Sequence, residues 1–280
     1  MKVFTTVSSL RIYLEESLFQ QKTIGLIPTM GALHEGHIAL VNAARTENDI
    51  TVCSIFVNPT QFNNPEDLEK YPRTLEADCA MLEAAGCSAV FAPNVAEMYP
   101  GEAVLKFNFG ALETVMEGAS RPGHFNGVGI VVSKLFNIVK PHRAYFGQKD
   151  LQQVAVVKQL VADLSFGLKL VIVPTIREAG GLAMSSRNRR LGEHERNIAP
   201  HIFRILESAK NEITAGGQIA EVIKTAKAEF TAIPEFALDY LEVVNATTMQ
   251  PVTEYTQKEN TAICIAVFLG PVRLIDNIVF

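Results

Sequence analysis

The sequence predicts an α/β fold, in which a parallel sheet covered by helices on both faces is followed by a smaller C-terminal α+β domain. Three observations carry this prediction. Five β-branched, strand-like runs in the first two thirds of the chain alternate with helical stretches. After about residue 176 the character changes, and a polar loop leads into two helices and three closely spaced strand-like runs. Finally, 280 residues with 48% hydrophobic content supply a large core and exceed the usual size of a single domain.

In chain order the first strand-like runs are 23–29 (TIGLIPT), 50–58 (ITVCSIFVN), 88–92 (SAVFA), 143–147 (RAYFG) and 169–175 (KLVIVPT). The clearest helices between them are 36–47, 68–86 and 151–166. In the last, Val154, Val157, Leu160, Val161 and Leu164 recur at three- and four-residue steps, which puts them on one helix face. Alternation of this kind makes βαβ crossovers. Residues 1–176 are therefore expected to form a Rossmann-like domain, with ligands beyond the carboxyl ends of its strands. Residues 177–280 are expected to form the second domain. There, helix 194–213 gathers Ile198, Ile202, Ile205, Leu206 and Ala209 on one side, helix 218–230 follows, and runs 237–245, 261–269 and 272–280 are close enough for an antiparallel sheet.

Composition narrows the function. A formal charge of −5 argues against nucleic-acid binding and requires any anion site to be a local cluster of donors. No apolar run approaches membrane-spanning length, and Arg11, Glu15 and Glu16 interrupt the N-terminal segment before it gains signal-peptide character. Cys53, Cys79, Cys87 and Cys264 lie in apolar segments without metal-ligand spacing, as buried free thiols do, so a cytoplasmic location is expected.

The stretch IPTMGALHEGHIALV, residues 27–41, runs from a strand through two glycines and two histidines into a helix. Gly31 and Gly36 have the spacing of a phosphate-binding G-x-x-x-x-G-K-[ST] loop, but His37 and Ile38 stand where the lysine and hydroxyl belong. A P-loop hydrolase needs both, so that reading is set aside. What remains is a glycine turn and a helix N-terminus, whose N–H groups and dipole suit a phosphate. His34 and His37, three apart, lie on one side of that first turn. Their spacing lacks the HExxH pattern of zinc enzymes, and no protein metal site is expected.

His34-Glu35-Gly36-His37 resembles the HIGH signature of class I aminoacyl-tRNA synthetases and related nucleotidyltransferases. The wider PTMGALHEGH is similar to the pantothenate synthetases within that superfamily. Further similar words follow in order: SIFVNPTQF (54–62), YPRT (71–74), EMYP (97–100), RPGHFNGV (121–128), FGQKDLQQ (146–153), IREAGGLAMSSRN (176–188) and LDYLEVVN (238–245). The resemblance implies a homodimeric ligase that activates pantoate with ATP as pantoyl adenylate and then transfers the acyl group to β-alanine. Two anions converge in the first step, so aligned donors and positive charge matter more than a strong base.

The resemblance also implies roles. Met30, Gly31, Ala32, Leu33, His34, Glu35, Gly36 and His37 would form one wall of the ATP site, with His34 and His37 donating to phosphate oxygens in the transition state. Lys149 would contact ATP phosphates, with Gly147, Gln148 and Asp150 lining the nucleotide; Gln148 stands where glutamate is common. The Ile176 backbone would meet adenine, and Met184, Ser185, Ser186 and Arg187 would take the place of the KMSKS loop in a C-terminal lid domain. Gly180 stands where the family often has aspartate. Gln61 and Gln153 would bind pantoate, since a carboxamide donates to a carboxylate and accepts from a hydroxyl, and Asn58 would shape the same pocket. Mg²⁺ would arrive with ATP, held by phosphates and water; of the acids near residue 76 only Asp78 keeps its carboxylate in the matching pair. His124 is expected to be a pocket or loop residue rather than a catalytic one, and His142, His194 and His201 attract no functional claim.

Overall fold

The computed structural model describes residues 1–258 and 260–280. The chain folds as two compact units, residues 1–147 with 156–173, and residues 148–155 with 174–280. The segment carrying Lys149 thus packs with the C-terminal residues.

In chain order the elements are β1 (Lys2–Phe4), α1 (Val7–Phe19), β2 (Ile24–Thr29), α2 (Glu35–Glu47), β3 (Ile50–Ile55), α3 (Pro65–Glu69), α4 (Leu75–Ala84), β4 (Ala89–Phe91), α5 (Val95–Met98), α6 (Met116–Ser120), α7 (His124–Val139), β5 (Arg143–Gly147), α8 (Leu151–Asp163) and β6 (Lys169–Val173). There follow α9 (Glu193–Ile198), α10 (His201–Thr214), α11 (Ile219–Thr231), β7 (Phe236–Asn245), β8 (Thr261–Leu269) and β9 (Val272–Val279).

The first unit is built on a six-stranded sheet in the order β1-β4-β3-β2-β5-β6, with every pairing parallel. Successive strand residues point to opposite faces, and Leu26 and Ile27 in β2 are both fully buried, so both faces are covered. On one of them Ile27, Cys53, Val90 and Tyr145 pack against Leu40, Val41 and Ala44 of α2 and Leu82 of α4. The strand order reverses between β2 and β5, the position at which sheets of this kind bind ligands beyond the carboxyl ends of their strands. Thr29 ends β2 and Gly147 ends β5.

The second unit has the antiparallel sheet β7-β8-β9. Its core joins Ile202, Leu206 and Ile213 of α10, Val222 and Phe230 of α11, and Ile263, Ile265, Val267 and Leu274 of the sheet. The three- and four-residue spacing along α10 explains which of its faces is buried.

Several elements differ from the sequence expectation. The helix expected over 68–86 is two, α3 and α4, because Pro72 cannot donate within a helix and excludes helical geometry from Tyr71. Likewise Pro200 separates α9 from α10 within the expected helix 194–213. Strand β3 ends at Ile55 rather than 58, and a 3-10 turn over Pro59–Gln61 follows. Helix α7 has no counterpart among the clearest expected helices. Its partly exposed residues, Asn126, Ser133, Lys134 and Asn137, recur at helical spacing on one narrow face, a period that the reading of the sequence passed over, and the rest of its surface is buried.

Candidate active site

In the first unit, β2 delivers the chain to a turn that three polar side chains shape. Thr29 Oγ1 donates to the carbonyl of Ser54 (2.7 Å) and accepts from Gly31 N–H (3.2 Å). Gly31 then takes φ +82°, a left-handed conformation that favours glycine, and Ala32 follows at φ +51°. Asp78, buried at the start of α4, closes the turn: its carboxylate accepts from Ala32 N–H (3.0 Å), Leu33 N–H (2.8 Å) and Thr74 Oγ1 (3.1 Å). A methyl on Gly31 would come 3.0 Å from Asp78 Oδ2 and 3.1 Å from Ile55 Cγ2. Asp78 is therefore the counter-charge of this backbone turn, a role that sequence reasoning missed. The available signal is a carboxylate four residues beyond Thr74, where a helix begins.

His34 is the N-cap of α2. Its Nδ1 accepts from Gly36 N–H (3.1 Å), and His37 Nδ1 reaches back to accept from His34 N–H (3.3 Å), a capping box with imidazoles in place of hydroxyl and carboxylate. The rings lie 4.1 Å apart, centroid to centroid. An Nδ1 that accepts a backbone N–H carries no proton, so in both histidines the neutral ring bears its hydrogen on Nε2. Each is thereby set as a donor through Nε2, at a helix start whose dipole already favours an anion.

Asn58 and Gln61 sit at the next turn, both buried. Asn58 donates through Nδ2 to Gln61 Oε1 (3.1 Å) and to the Gly127 carbonyl (3.2 Å), and its Oδ1 accepts from Tyr99 OH (2.8 Å) and Thr60 Oγ1 (3.0 Å). Gln61 Nε2 lies 3.1 Å from Met30 Sδ, so the structure brings Met30, Asn58 and Gln61 together. The Gln61 carbonyl accepts from His124 Nδ1 (2.9 Å) and Arg121 Nη2 (3.4 Å). His124 thus carries its proton on Nδ1, the opposite tautomer to His34 and His37, and it begins helix α7 as a buried residue rather than lying in a loop. Tyr99, Arg121 and Gly127 belong to the words EMYP and RPGHFNGV, whose side chains sequence reasoning left without roles.

In the second unit, Gln148, Lys149 and Asp150 form a 3-10 turn directly after Gly147. Lys149 Nζ lies 3.4 Å from Asp150 Oδ1. Asn277 Nδ2 donates to the carbonyls of Gln148 (3.0 Å) and Lys149 (2.8 Å). Beside it, buried Asp276 accepts from both terminal nitrogens of Arg177 (2.6 and 3.0 Å). Burial pushes the Asp276 carboxyl up, against the pull of that guanidinium. Gln153 is half-buried in the first turn of α8.

The expected MSSR loop is held in the same unit by its own hydrogen bonds. Met184 N–H donates to the Ile176 carbonyl (2.9 Å), and Asn188 Nδ2 donates to Glu178 Oε1 (2.7 Å) and the Ala183 carbonyl (3.0 Å). Ser185 Oγ caps the short turn Ser186–Arg190 by accepting from Arg187 N–H (3.2 Å). A Cβ on Gly180 would meet Pro200 Cγ at 3.0 Å, so the missing aspartate leaves no gap there.

Among the described residues, no group of three His, Cys, Asp or Glu side chains could hold a metal ion. Asp78 is engaged by backbone donors on both oxygens. Nor, among the described residues, is any helix long and apolar enough to cross a membrane.

The family model for pantoate-beta-alanine ligase matches residues 2–279. A pantothenate synthetase of Bacteroides fragilis (strain YCH46) is 50% identical over 278 residues, covering 99% of this chain and 98% of its own length. One from Cytophaga hutchinsonii is 46% identical, with 98% of each chain covered. The crystal structure of pantothenate synthetase from Thermus thermophilus superposes with a TM-score of 0.93 at 44% identity over 99% of each chain. That of pantoate-beta-alanine ligase from Francisella tularensis, complexed with beta-gamma ATP and beta-alanine, gives 0.82 at 36% identity, covering 100% of this chain and 97% of that one.

Proposed function

This chain belongs to the pantoate–β-alanine ligase family, and from that premise we propose that it makes pantothenate through a pantoyl adenylate, releasing AMP and pyrophosphate. The joining of pantoate to β-alanine follows from the family. The intermediate and the residue roles are inferred.

In the first half-reaction a pantoate carboxylate oxygen attacks the α-phosphorus of ATP. The new P–O bond forms as the bond to the bridging oxygen of pyrophosphate breaks, and negative charge grows on the phosphoryl oxygens. Donors preset for that charge lower the barrier because they need no reorganisation during reaction. The observation that carries this reading is the pair of capped imidazoles: with both Nδ1 atoms accepting backbone N–H groups, His34 and His37 supply Nε2–H donors at the N-terminus of α2. Met30 to Leu33, Glu35 and Gly36 form the surrounding wall. Lys149 adds positive charge at the phosphates, with Gly147, Gln148 and Asp150 lining the nucleotide. The Ile176 backbone meets adenine, Met184 belongs to the loop that takes the KMSKS position, and Ser185, Ser186 and Arg187 of that loop close over the β- and γ-phosphates.

Gln61 and Gln153 bind the carboxylate and hydroxyls of pantoate, and Asn58 holds Gln61 in place. In the second half-reaction the neutral amine of β-alanine attacks the acyl carbon, the C–N bond forms, the C–O bond to AMP breaks, and the amine gives up a proton. Mg²⁺ enters with the substrate as MgATP, held by phosphates and water. A cytoplasmic homodimer completes the proposal; the complex of the Francisella relative with beta-gamma ATP and beta-alanine supports the substrate set.

Carboxylate-labelled [¹⁸O]pantoate tests the pathway. Label appearing in AMP supports attack at the α-phosphorus; AMP free of label, or ADP as the nucleotide product, eliminates the adenylate.

A further inference from the structure

We infer that Arg177, Asp276 and Asn277 are positioning residues that set the backbone of Lys149 and tie it to the loop carrying Ser185–Arg187. The inference rests on the reading of Lys149 and that loop as phosphate-binding elements.

The Gln148 carbonyl belongs to the peptide plane before the Cα of Lys149, and the Lys149 carbonyl to the plane after it. Asn277 Nδ2 donates to both, at 3.0 and 2.8 Å. Fixing the two planes that flank one Cα fixes its φ and ψ, and hence the direction in which the side chain leaves. A single carboxamide thus holds the base of a flexible four-carbon stem, across 128 positions of sequence.

Asn277 is itself held at both ends of its backbone. Its N–H donates to Asp276 Oδ1 (2.7 Å), and its carbonyl accepts from Arg177 Nη2 (3.2 Å). The same guanidinium binds both Asp276 oxygens, stacks 3.8 Å from the centroid of Phe203, and donates through Nη1 to the Gly181 carbonyl (3.0 Å). Gly181 lies in the strap that turns back on itself through the Arg177–Ala183 bridge and leads into Ser185. One ion pair therefore joins the lysine turn to the loop. Strand β9 supplies its carboxylate from the centre of an antiparallel ladder, with Asp276 opposite Ile265, so the anchor is rigid.

Stability alone is a weak account of this pair. Desolvating two charges costs about as much as their attraction returns, and apolar replacements of similar volume often serve as well. A guanidinium in a planar fork, by contrast, defines direction at several acceptors at once.

The test is a double-mutant cycle in the full-length enzyme, read by the rate of pyrophosphate release, with thermal unfolding measured on every variant. Asn277→Ala should lower kcat of adenylation by roughly 10- to 100-fold, the loss expected when a reacting group is displaced by about 1 Å. KM for pantoate should change little. In the Lys149→Ala background the same substitution should cost almost nothing further, because Asn277 acts through Lys149. Arg273→Ala, which breaks the Arg273–Asp239 pair of the same sheet, serves as the control for lost stability with unchanged kcat. Asp276→Asn is the second variant should Asn277→Ala not fold, and Arg177→Lys should leave the lysine side chain partly competent. Losses from Asn277 and Lys149 that multiply, or an Asn277→Ala kcat equal to that of the parent, would overturn the positioning role while leaving the proposed function intact. A fully active Lys149→Ala enzyme would overturn both, and is told apart because it fails before Asn277 is touched.

Discussion

The carboxylate of Asp78 accepts the backbone N–H of Leu33 at 2.8 Å, and through its other oxygen that of Ala32 at 3.0 Å, across 45 and 46 positions of sequence. Asp78→Ala strands both N–H groups in a buried turn. An unsatisfied buried donor costs about 1–3 kcal/mol, so a loss of roughly 2–6 kcal/mol is expected in denaturant unfolding, with a raised KM for ATP in whatever remains folded. An unfolding midpoint equal to that of the parent would show that water replaces the carboxylate.

Gly127 approaches the turn that carries Gln61 so closely that an added methyl would overlap the Thr60 carbonyl oxygen and lie 2.7 Å from Gln61 N. Backbone atoms on both sides cannot yield cheaply. Gly127→Ala should therefore cost about 1–3 kcal/mol of stability and raise KM for pantoate more than KM for ATP. Equal rises in the two constants would place the damage elsewhere.

Arg187 and Lys149 should separate the two half-reactions. If Arg187 serves only the departing pyrophosphate, Arg187→Ala slows adenylation by roughly 10- to 100-fold, the worth of a charged hydrogen bond of about 1.5–3 kcal/mol, and spares amide formation from supplied pantoyl adenylate. Lys149→Ala should slow both steps. An equal loss in the two steps for Arg187→Ala would mean that the loop guards the adenylate itself.

No zinc requirement is expected, since the proposed reading uses the Nε2–H of His34 and of His37 for phosphate oxygens while each Nδ1 caps the helix. After a zinc-selective chelator and restored Mg²⁺, activity should return in full. Recovery only on adding zinc would refute the donor role of the histidines.

Burial, with Asp276 and Glu242 nearby, pushes the Cys264 thiol up to about 12 from its ordinary 9.0. Below pH 9.0 the thiol is neutral in folded and unfolded chains alike, so its contribution to stability is fully present. Between pH 9.0 and about 12 the unfolded chain loses the proton first, and stability falls by up to about 1.4 kcal/mol per pH unit. Cys264→Ala should flatten that alkaline slope; an unaltered slope between parent and variant would assign it to other groups.

While β1, α1 and α7 went unread, the sequence by itself determined the parallel strands β2 to β6, the antiparallel C-terminal sheet and the turn at His34–His37. These are written in local periods of two and 3.6 residues and in contiguous words such as PTMGALHEGH, which need no knowledge of what packs against them. It also put Gln61 beside Asn58, three residues away. Tertiary structure alone decided the rest. Prolines overrode the long periodic runs at 68–86 and 194–213. The tautomers of His34, His37 and His124 were set by which ring nitrogen meets a backbone donor or acceptor. The supports of the site, Asp78 under Leu33 and Asn277 under Lys149, are hydrogen bonds between residues 45 and 128 positions apart. A hydrogen bond depends on tenths of an ångström and on direction, and at such separations only the packing of whole elements brings donor and acceptor to that distance.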